Sequence, residues 1–284
     1  MRGDKTFLLG LGASKCGTTW MQAYLNGASC ADFGRLGEYQ VWDALHVPSA
    51  ARFRVDRPSA LRRAQDLVAR TTGRPRKADV LRFELQQDTA RYFTYFAALL
   101  DRPGIRLTGD ITPVYARLPA RILREIDDGF ARRGIAVKAV LSLRDPIERA
   151  WSVLKMQSRK GRLSDADLAR AFRDRHGPGT TAPPEDTYRH VLGTVTEAFD
   201  ESRRFVTLYE TLFTPPEIAR LSAFAGVPDR PDAGGRRVNA AGDSSAVPAD
   251  VARDCFAHFA EDYAACDRRL PEVATLWPHA HLAG

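Results

Sequence analysis

The sequence predicts an α/β fold: one three-layer domain over residues 1–284, with a central, mostly parallel sheet and helices on both faces. Three observations predict it. Short apolar runs at 6–11, 137–143 and 205–209 alternate with longer segments of helical periodicity, the pattern of a sheet covered on both sides. A turn bounded by Gly12 and Gly17 joins the first run to a helix-patterned segment, the strand–loop–helix opening of a phosphate-binding unit. No internal repeat or convincing linker divides the chain.

The elements follow in order. Residues 6–11 are short, apolar and closed by Gly12, which reads as a buried strand. Residues 18–26 carry Trp20, Met21, Tyr24 and Leu25 at helical spacing. Residues 28–58 read as irregular. Helices are predicted at 59–72 and 89–101, the second with Tyr92, Phe93 and Phe96 on its apolar face. A short strand is expected at 105–108, ended by Gly109-Asp110, then an amphipathic helix at 119–133. Residues 137–143 read as a central strand. Pro146 suits the first turn of a helix running to about Ser158. Further helices are expected at 164–175 and 186–201, separated by a breaker-rich loop at 176–184. After the strand at 205–209 come a short helix at 215–225, a Gly-, Pro- and Arg-rich segment at 226–248 expected to be mobile, and a helix from Pro248 to about Leu270. Its stripe of Phe256, Phe259, Tyr263 and Cys266 reads as core.

Composition narrows the classes. Apolar residues are 44% and charged residues 27% of the chain, which excludes a wholly disordered or fibrous protein. No apolar run approaches the roughly 20 residues of a membrane helix, and the apolar start at 6–11 is too short for a signal sequence. A cytoplasmic protein without membrane insertion is expected. The four cysteines, Cys16, Cys30, Cys255 and Cys266, form neither a CxxC pair nor a zinc-like spacing. No metal site is expected. The net charge of +7 rests mostly on arginine, the better fork for phosphate, sulfate and carboxylate. A polyanionic ligand fits this balance; nucleic acid is not expected, because no basic stripe interleaved with aromatics occurs. A homodimer is the default expectation for assembly.

Gly12-Ala13-Ser14-Lys15-Cys16-Gly17 has P-loop spacing, but Thr18 and Thr19 follow Gly17 where a Walker loop has Lys-Ser/Thr. The lysine, Lys15, lies inside the loop instead. That breaks the metal-binding geometry and suits a nucleotide with a single 5′-phosphate group. Cys16, beside Lys15 at a helix N-terminus, is expected to have a lowered pKa and to be alkylated unless nucleotide is bound.

The segment Gly12 to Trp20 resembles the 5′-phosphosulfate loop of sulfotransferases that use 3′-phosphoadenosine 5′-phosphosulfate (PAPS), with Cys16 as a departure. The resemblance is closer to the glycan-type and bacterial members than to the cytosolic aryl and steroid ones. It implies that Ser14, Lys15, Cys16, Gly17, Thr18, Thr19 and Trp20 hold the donor, and that Lys15 bonds the sulfate and the bridging oxygen. A second segment, Arg144-Asp145-Pro146-x-x-Arg149-x-x-Ser152, is similar to the family's 3′-phosphate motif, about 130 residues further on. It implies that Arg144 and Ser152 read the 3′-phosphate. By the same resemblance Tyr209 lies near the adenine, and Arg236 and Arg237 belong to a loop closing over the nucleotide. The resemblance divides the domain into a phosphosulfate-binding part at 5–30, a 3′-phosphate-binding part at 137–158 and the loop at 226–248.

Sulfuryl transfer needs a base for the acceptor hydroxyl and a cation for the leaving oxygen. Gly37-Glu38-Tyr39-Gln40-Val41-Trp42-Asp43 resembles the Lys-Glu-x-x-Phe-Phe-Asp segment in which the glutamate is the base, so Glu38 is the first candidate. His46 is the rival, and Asp110 could assist the base or orient the acceptor. Gly109-Asp110-Ile111-Thr112-Pro113-Val114-Tyr115 looks like the family's Gly-Glu-Lys-Thr/Ser-Pro-x-Tyr segment, with Tyr115 on the acceptor side. The implied function is transfer of a sulfuryl group from PAPS to a hydroxyl of a small-molecule, natural-product or carbohydrate acceptor. A variant P-loop kinase or hydrolase and a non-catalytic nucleotide-binding module are the alternatives.

Overall fold

Phe7 and Leu9 of strand β1 (Thr6–Gly10) point into one hydrophobic cluster and Leu8 into another. This period-two alternation puts a fully buried strand at the centre of the sheet. The computed structural model describes residues 5–235 and 246–283. Its sheet has the order β2-β1-β3-β4, all parallel, with β2 (Leu107–Ile111), β3 (Ala136–Leu143) and β4 (Arg204–Leu208). The reversal of direction in strand order at β1 and β3 opens a crevice at their C-terminal ends, where α/β folds bind ligands.

The helices are α1 (Thr18–Asn26), α2 (Trp42–His46), α3 (Ala60–Thr71), α4 (Ala78–Gln87), α5 (Thr89–Leu100), α6 (Ala120–Ala131) and α7 (Pro146–Arg159). They continue with α8 (Leu168–His176), α9 (Tyr188–Ala198), α10 (Pro215–Ala225), α11 (Ala249–Asp267) and α12 (Val273–Leu276). One sheet face is covered by α5 and α6, and the same core extends to α7, α9 and α11. There Phe7 stacks on Phe130 at 4.0 Å and meets Phe96 edge-on at 4.9 Å. The other face is covered by α1 and α10, through Trp20, Met21, Ile218 and Leu221.

Three expectations shift. β2 runs through Gly109 and Asp110 rather than stopping before them, and α4 occupies part of a stretch with no predicted element. Residues 28–58, read as irregular, contain the short helix α2 and a 3-10 turn over Pro48–Phe53. Of the segment 226–248, residues 236–245 lie outside the described residues.

Candidate functional site

The loop between β1 and α1 is fixed by β3. Leu11 N–H donates to Val140 O at 2.9 Å, Ala13 N–H to Ser142 O at 2.8 Å, and Ser142 N–H to Gly12 O at 2.9 Å. Gly12 and Gly17 both have positive φ, and a Cβ on Gly12 would lie 2.4 Å from Pro113 O. No larger residue fits there. Lys15 also has positive φ, at 69°. For a non-glycine residue this conformation costs roughly 1–2 kcal/mol, a strain typical of functional loops.

Gly17 is the N-cap of α1, and no side chain caps the helix. The N–H groups of Thr18, Thr19 and Trp20 therefore have no intrahelical partner and face the loop with the positive end of the helix dipole. Ser14, Lys15 and Thr19 are accessible, while Thr18 is nearly buried. Burial lowers the pKa of Lys15 first, and the neighbouring charges of Arg159, Arg144 and Lys160 lower it further. Four cations thus converge beside an uncapped helix start. That donor set fits an anion with more than one negative group.

Two loop residues differ from expectation. Cys16 is fully buried, its thiol 3.6 Å from Ser14 O and 3.9 Å from the Tyr188 hydroxyl. Burial pushes the thiol up to about 11 and outweighs the cations Arg149 and Arg144. The expected low-pKa, alkylation-prone thiol is corrected: Cys16 faces the core, and only its backbone belongs to the loop surface. Trp20 is also buried. Its indole donates to Ala233 O at 3.2 Å and stacks on Tyr24 at 5.1 Å, so its side chain serves packing rather than a donor contact.

Arg144 follows β3 directly. Its guanidinium lies over the Tyr209 ring at 4.6 Å and bonds Glu148 at 3.2 Å. Tyr209 is thus a platform for Arg144. Asp145 caps α7 by accepting from Ile147 and Glu148 N–H, and it also accepts from Tyr263 OH and His279 N–H. With these bonds made, Asp145 is an anchor for the helix. Ser152 lies one turn beyond Glu148 and is accessible on α7, so helical spacing puts Glu148, Ser152 and Arg159 on one face. Arg236 and Arg237 lie outside the described residues.

Glu38 is exposed, and its chain is held by Arg82, which donates to Glu38 O at 2.9 Å and Tyr39 O at 3.0 Å. Tyr39 N–H donates to Thr112 Oγ1 at 3.1 Å, tying the segment to the end of β2. Glu38 is raised above the usual carboxylate range by the protein packed around it and then by the Asp110 charge; Arg82, Gln40 and Lys160 pull it back. Lys160 therefore acts on both Lys15 and Glu38.

The other acceptor-side candidates are corrected. Asp110 is fully buried and accepts from Tyr115 OH and Thr112 Oγ1, each at 2.7 Å, and Tyr92 OH at 3.0 Å. Burial pushes it up to about 6 despite these bonds. Tyr115 is equally buried, and its hydroxyl also accepts from Val41 N–H and Trp42 N–H. Asp110 and Tyr115 hold the Glu38 segment from beneath and do not face an acceptor. His46 stacks on Trp42 at 5.9 Å, and the charged groups near it are Glu125 and Arg121 of α6. It is not brought to Lys15.

The chain superposes on the sulfotransferase from Alicyclobacillus acidocaldarius with a TM-score of 0.59 and 18% identity, over 93% of this chain and 95% of that one. The chain has a sulfotransferase fold. The sulfotransferase domain from the curacin biosynthetic pathway matches with a TM-score of 0.49 and 16% identity, over 81% of this chain and 76% of that one. No family model and no curated protein matches the sequence.

On this sulfotransferase fold the sequence reading missed Arg159 and Lys160 as site residues. Their signal was the basic run Arg159-Lys160-Gly161-Arg162 at the end of α7. It also missed Tyr188, whose hydroxyl donates to Arg144 O at 2.7 Å and accepts from Arg144 N–H at 3.3 Å. A lone tyrosine far along the chain carries no local signal for that role. Among the described residues no group of three His, Cys, Asp or Glu could hold a metal ion, and no helix is long and apolar enough to cross a membrane.

Proposed function

We propose that the protein transfers a sulfuryl group from PAPS to a hydroxyl of a small-molecule or glycan acceptor. The observation that carries this reading is the shared neighbourhood of Lys15 and Glu38 around Lys160, beside an uncapped helix start. A loop cation and a carboxylate, each within reach of Lys160, are the two groups the reaction needs. The donor supplies an electrophilic sulfur on a phosphate leaving group. The N–H groups of Thr18 and Thr19 with Ser14 and Lys15 hold its 5′ end, and Arg144 with Ser152 meets the 3′-phosphate. The acceptor oxygen forms a bond to sulfur as the bond from sulfur to the phosphate oxygen breaks. Glu38 takes the hydroxyl proton, and a pKa raised above the ordinary carboxylate value makes it a stronger base. Lys15 meets the charge on the leaving oxygen.

Calorimetric titration tests this. 3′-Phosphoadenosine 5′-phosphate should bind more tightly than AMP and ATP, with or without Mg²⁺. Preference for ATP with Mg²⁺ would overturn the reading in favour of a variant P-loop enzyme.

A further inference from the structure

A cavity of about 310 Å³ lies beside the donor loop, between α7, α9 and α11. Ala13 and Ser14 form part of its wall, with Pro113 and Val114 from the segment after β2. Most of the lining from α7 is apolar, through Ala150, Val153 and Leu154. The exception is Arg149. Its Nε is buried without a hydrogen-bond partner, and its guanidinium rests over the Tyr188 ring at 5.2 Å.

The groups facing Arg149 do not occupy its fork. Asp186 is ion-paired to Arg117. Asp262 of α11 acts on Arg149 at range, while its Oδ1 accepts from Tyr188 N–H at 2.7 Å. Neither makes an ion-pair contact with Arg149 among the described residues. Arg175, also on the wall, bonds Gln157 at 3.0 Å.

The two histidines of the cavity add no charge. Thr180 donates its one hydroxyl proton to Gly177 O at 2.7 Å, so at 2.8 Å it accepts from His258 Nδ1–H. His258 Nε2 then accepts from His176 Nδ1–H at 3.2 Å. That leaves His176 Nε2 as an acceptor, and burial pushes this imidazole down to about 4. Arg149 is therefore the cation in this wall with a buried N–H and no partner for it, whereas Arg175 is exposed. A guanidinium whose fork no side chain occupies selects a planar oxyanion, which accepts two parallel N–H bonds.

We propose that this cavity is the acceptor pocket and that the acceptor is a hydroxylated carboxylic acid, its carboxylate seated on Arg149 and its hydroxyl end toward Ser14 and Lys15. The assignment of the pocket to the acceptor rests on the sulfotransferase reading; the carboxylate on Arg149 does not. The volume suits an acid with a short aliphatic or single-ring body.

The test is calorimetric binding of three hydroxy acids, 4-hydroxyphenylacetate, 4-hydroxybenzoate and 6-hydroxyhexanoate, each against its methyl ester, with 3′-phosphoadenosine 5′-phosphate present and absent. At least one acid should bind tenfold or more tightly than its ester. Arg149→Met should abolish that preference at unchanged nucleotide affinity, and Arg149→Lys should retain part of it. Equal binding of every acid and its ester, or a preference that survives Arg149→Met, overturns the proposal. If Arg149→Met does not fold, an undiminished preference in Arg149→Lys does the same. If an acid preference depends on Arg149 but 3′-phosphoadenosine 5′-phosphate does not bind, the oxyanion site stands and the sulfotransferase reading falls.

Discussion

Ser142 donates its buried hydroxyl to the main-chain carbonyl of Cys16 at 2.6 Å. One residue of β3 thus grips the loop that presents Lys15, and two residues later the same strand delivers Arg144. Both segments are built on a single strand end, so their separation is set by hydrogen bonds between the loop and β3. Ser142→Ala leaves a buried carbonyl short of a partner, which costs about 1–3 kcal/mol. Denaturant unfolding should show that loss. Affinity for 3′-phosphoadenosine 5′-phosphate should fall with it; an unchanged midpoint and unchanged affinity would show the grip to be dispensable.

Lys15 separates stability from function. It sits among Arg144, Arg159 and Lys160, which lower its pKa together with burial. Its charge therefore opposes folding. Lys15→Met should leave thermal stability equal or higher, while turnover drops about 10²–10³-fold as the leaving oxygen loses its cation. A variant that loses stability along with activity would contradict this electrostatic account.

Glu38 should set the rising limb of the pH–rate profile. A base must be deprotonated, so turnover rises with pH through its pKa, which lies above the ordinary carboxylate value. Glu38→Gln should cut turnover by about 10²–10⁴-fold and abolish that limb, with nucleotide affinity retained. A rising limb that persists in Glu38→Gln would move the base elsewhere.

Much of this site was legible because its signals are local. The apolar run, the glycines and the helical spacing after Gly17 define β1, the loop and α1 within about 20 residues. Arg144 to Ser152 is likewise a strand end followed by a Pro-started helix. What was misread depends on distant chain. Gly109-Asp110 has the local signature of a turn, yet it is strand, because hydroxyls from Tyr92, Thr112 and Tyr115 satisfy the carboxylate inside the core. α4 buries Val80, Leu81 and Leu85 but leaves Phe83 partly exposed, and an Arg- and Pro-rich stretch precedes it. Arg149 has no local signal for its place beyond the motif that contains it. Only the packing of α9 and α11 makes it a cavity wall.

Asp43 should be a source of instability at alkaline pH. It is fully buried, and neither carboxylate oxygen has a hydrogen-bond partner. Burial, with repulsion from Asp110 and Glu38, pushes it up to about 7 against the pull of the Ala44 backbone. A carboxyl whose folded pKa exceeds its unfolded value binds its proton more tightly when folded. Stability therefore rises as pH falls from 8 through about 7 toward the unfolded value. Asp110, raised to about 6, adds a slope of the same sign. Asn carries no charge to bury, so Asp43→Asn should stabilise the protein at pH 8 by on the order of 2 kcal/mol. It should also flatten the pH dependence of the unfolding midpoint. An Asp43→Asn variant no more stable than the parent at pH 8 would mean that the carboxylate finds partners of its own.

Cys16 pits two physical effects against each other, and thiol titration reads the winner. A cysteine beside a lysine at a helix start is expected to ionise easily. Here burial dominates: the thiol faces Ser14 O and Tyr188 and is pushed up to about 11. The other three cysteines are also reduced and buried. Native protein at pH 8 should therefore show no fast-reacting thiol toward a disulfide reagent, with or without nucleotide, and four on unfolding. Rapid labelling of Cys16 in the native protein, blocked by 3′-phosphoadenosine 5′-phosphate, would mean that the loop opens far enough to turn the thiol outward. Slow labelling at the rate of global unfolding would mean that the Ser142 grip holds the loop closed until the sheet itself comes apart.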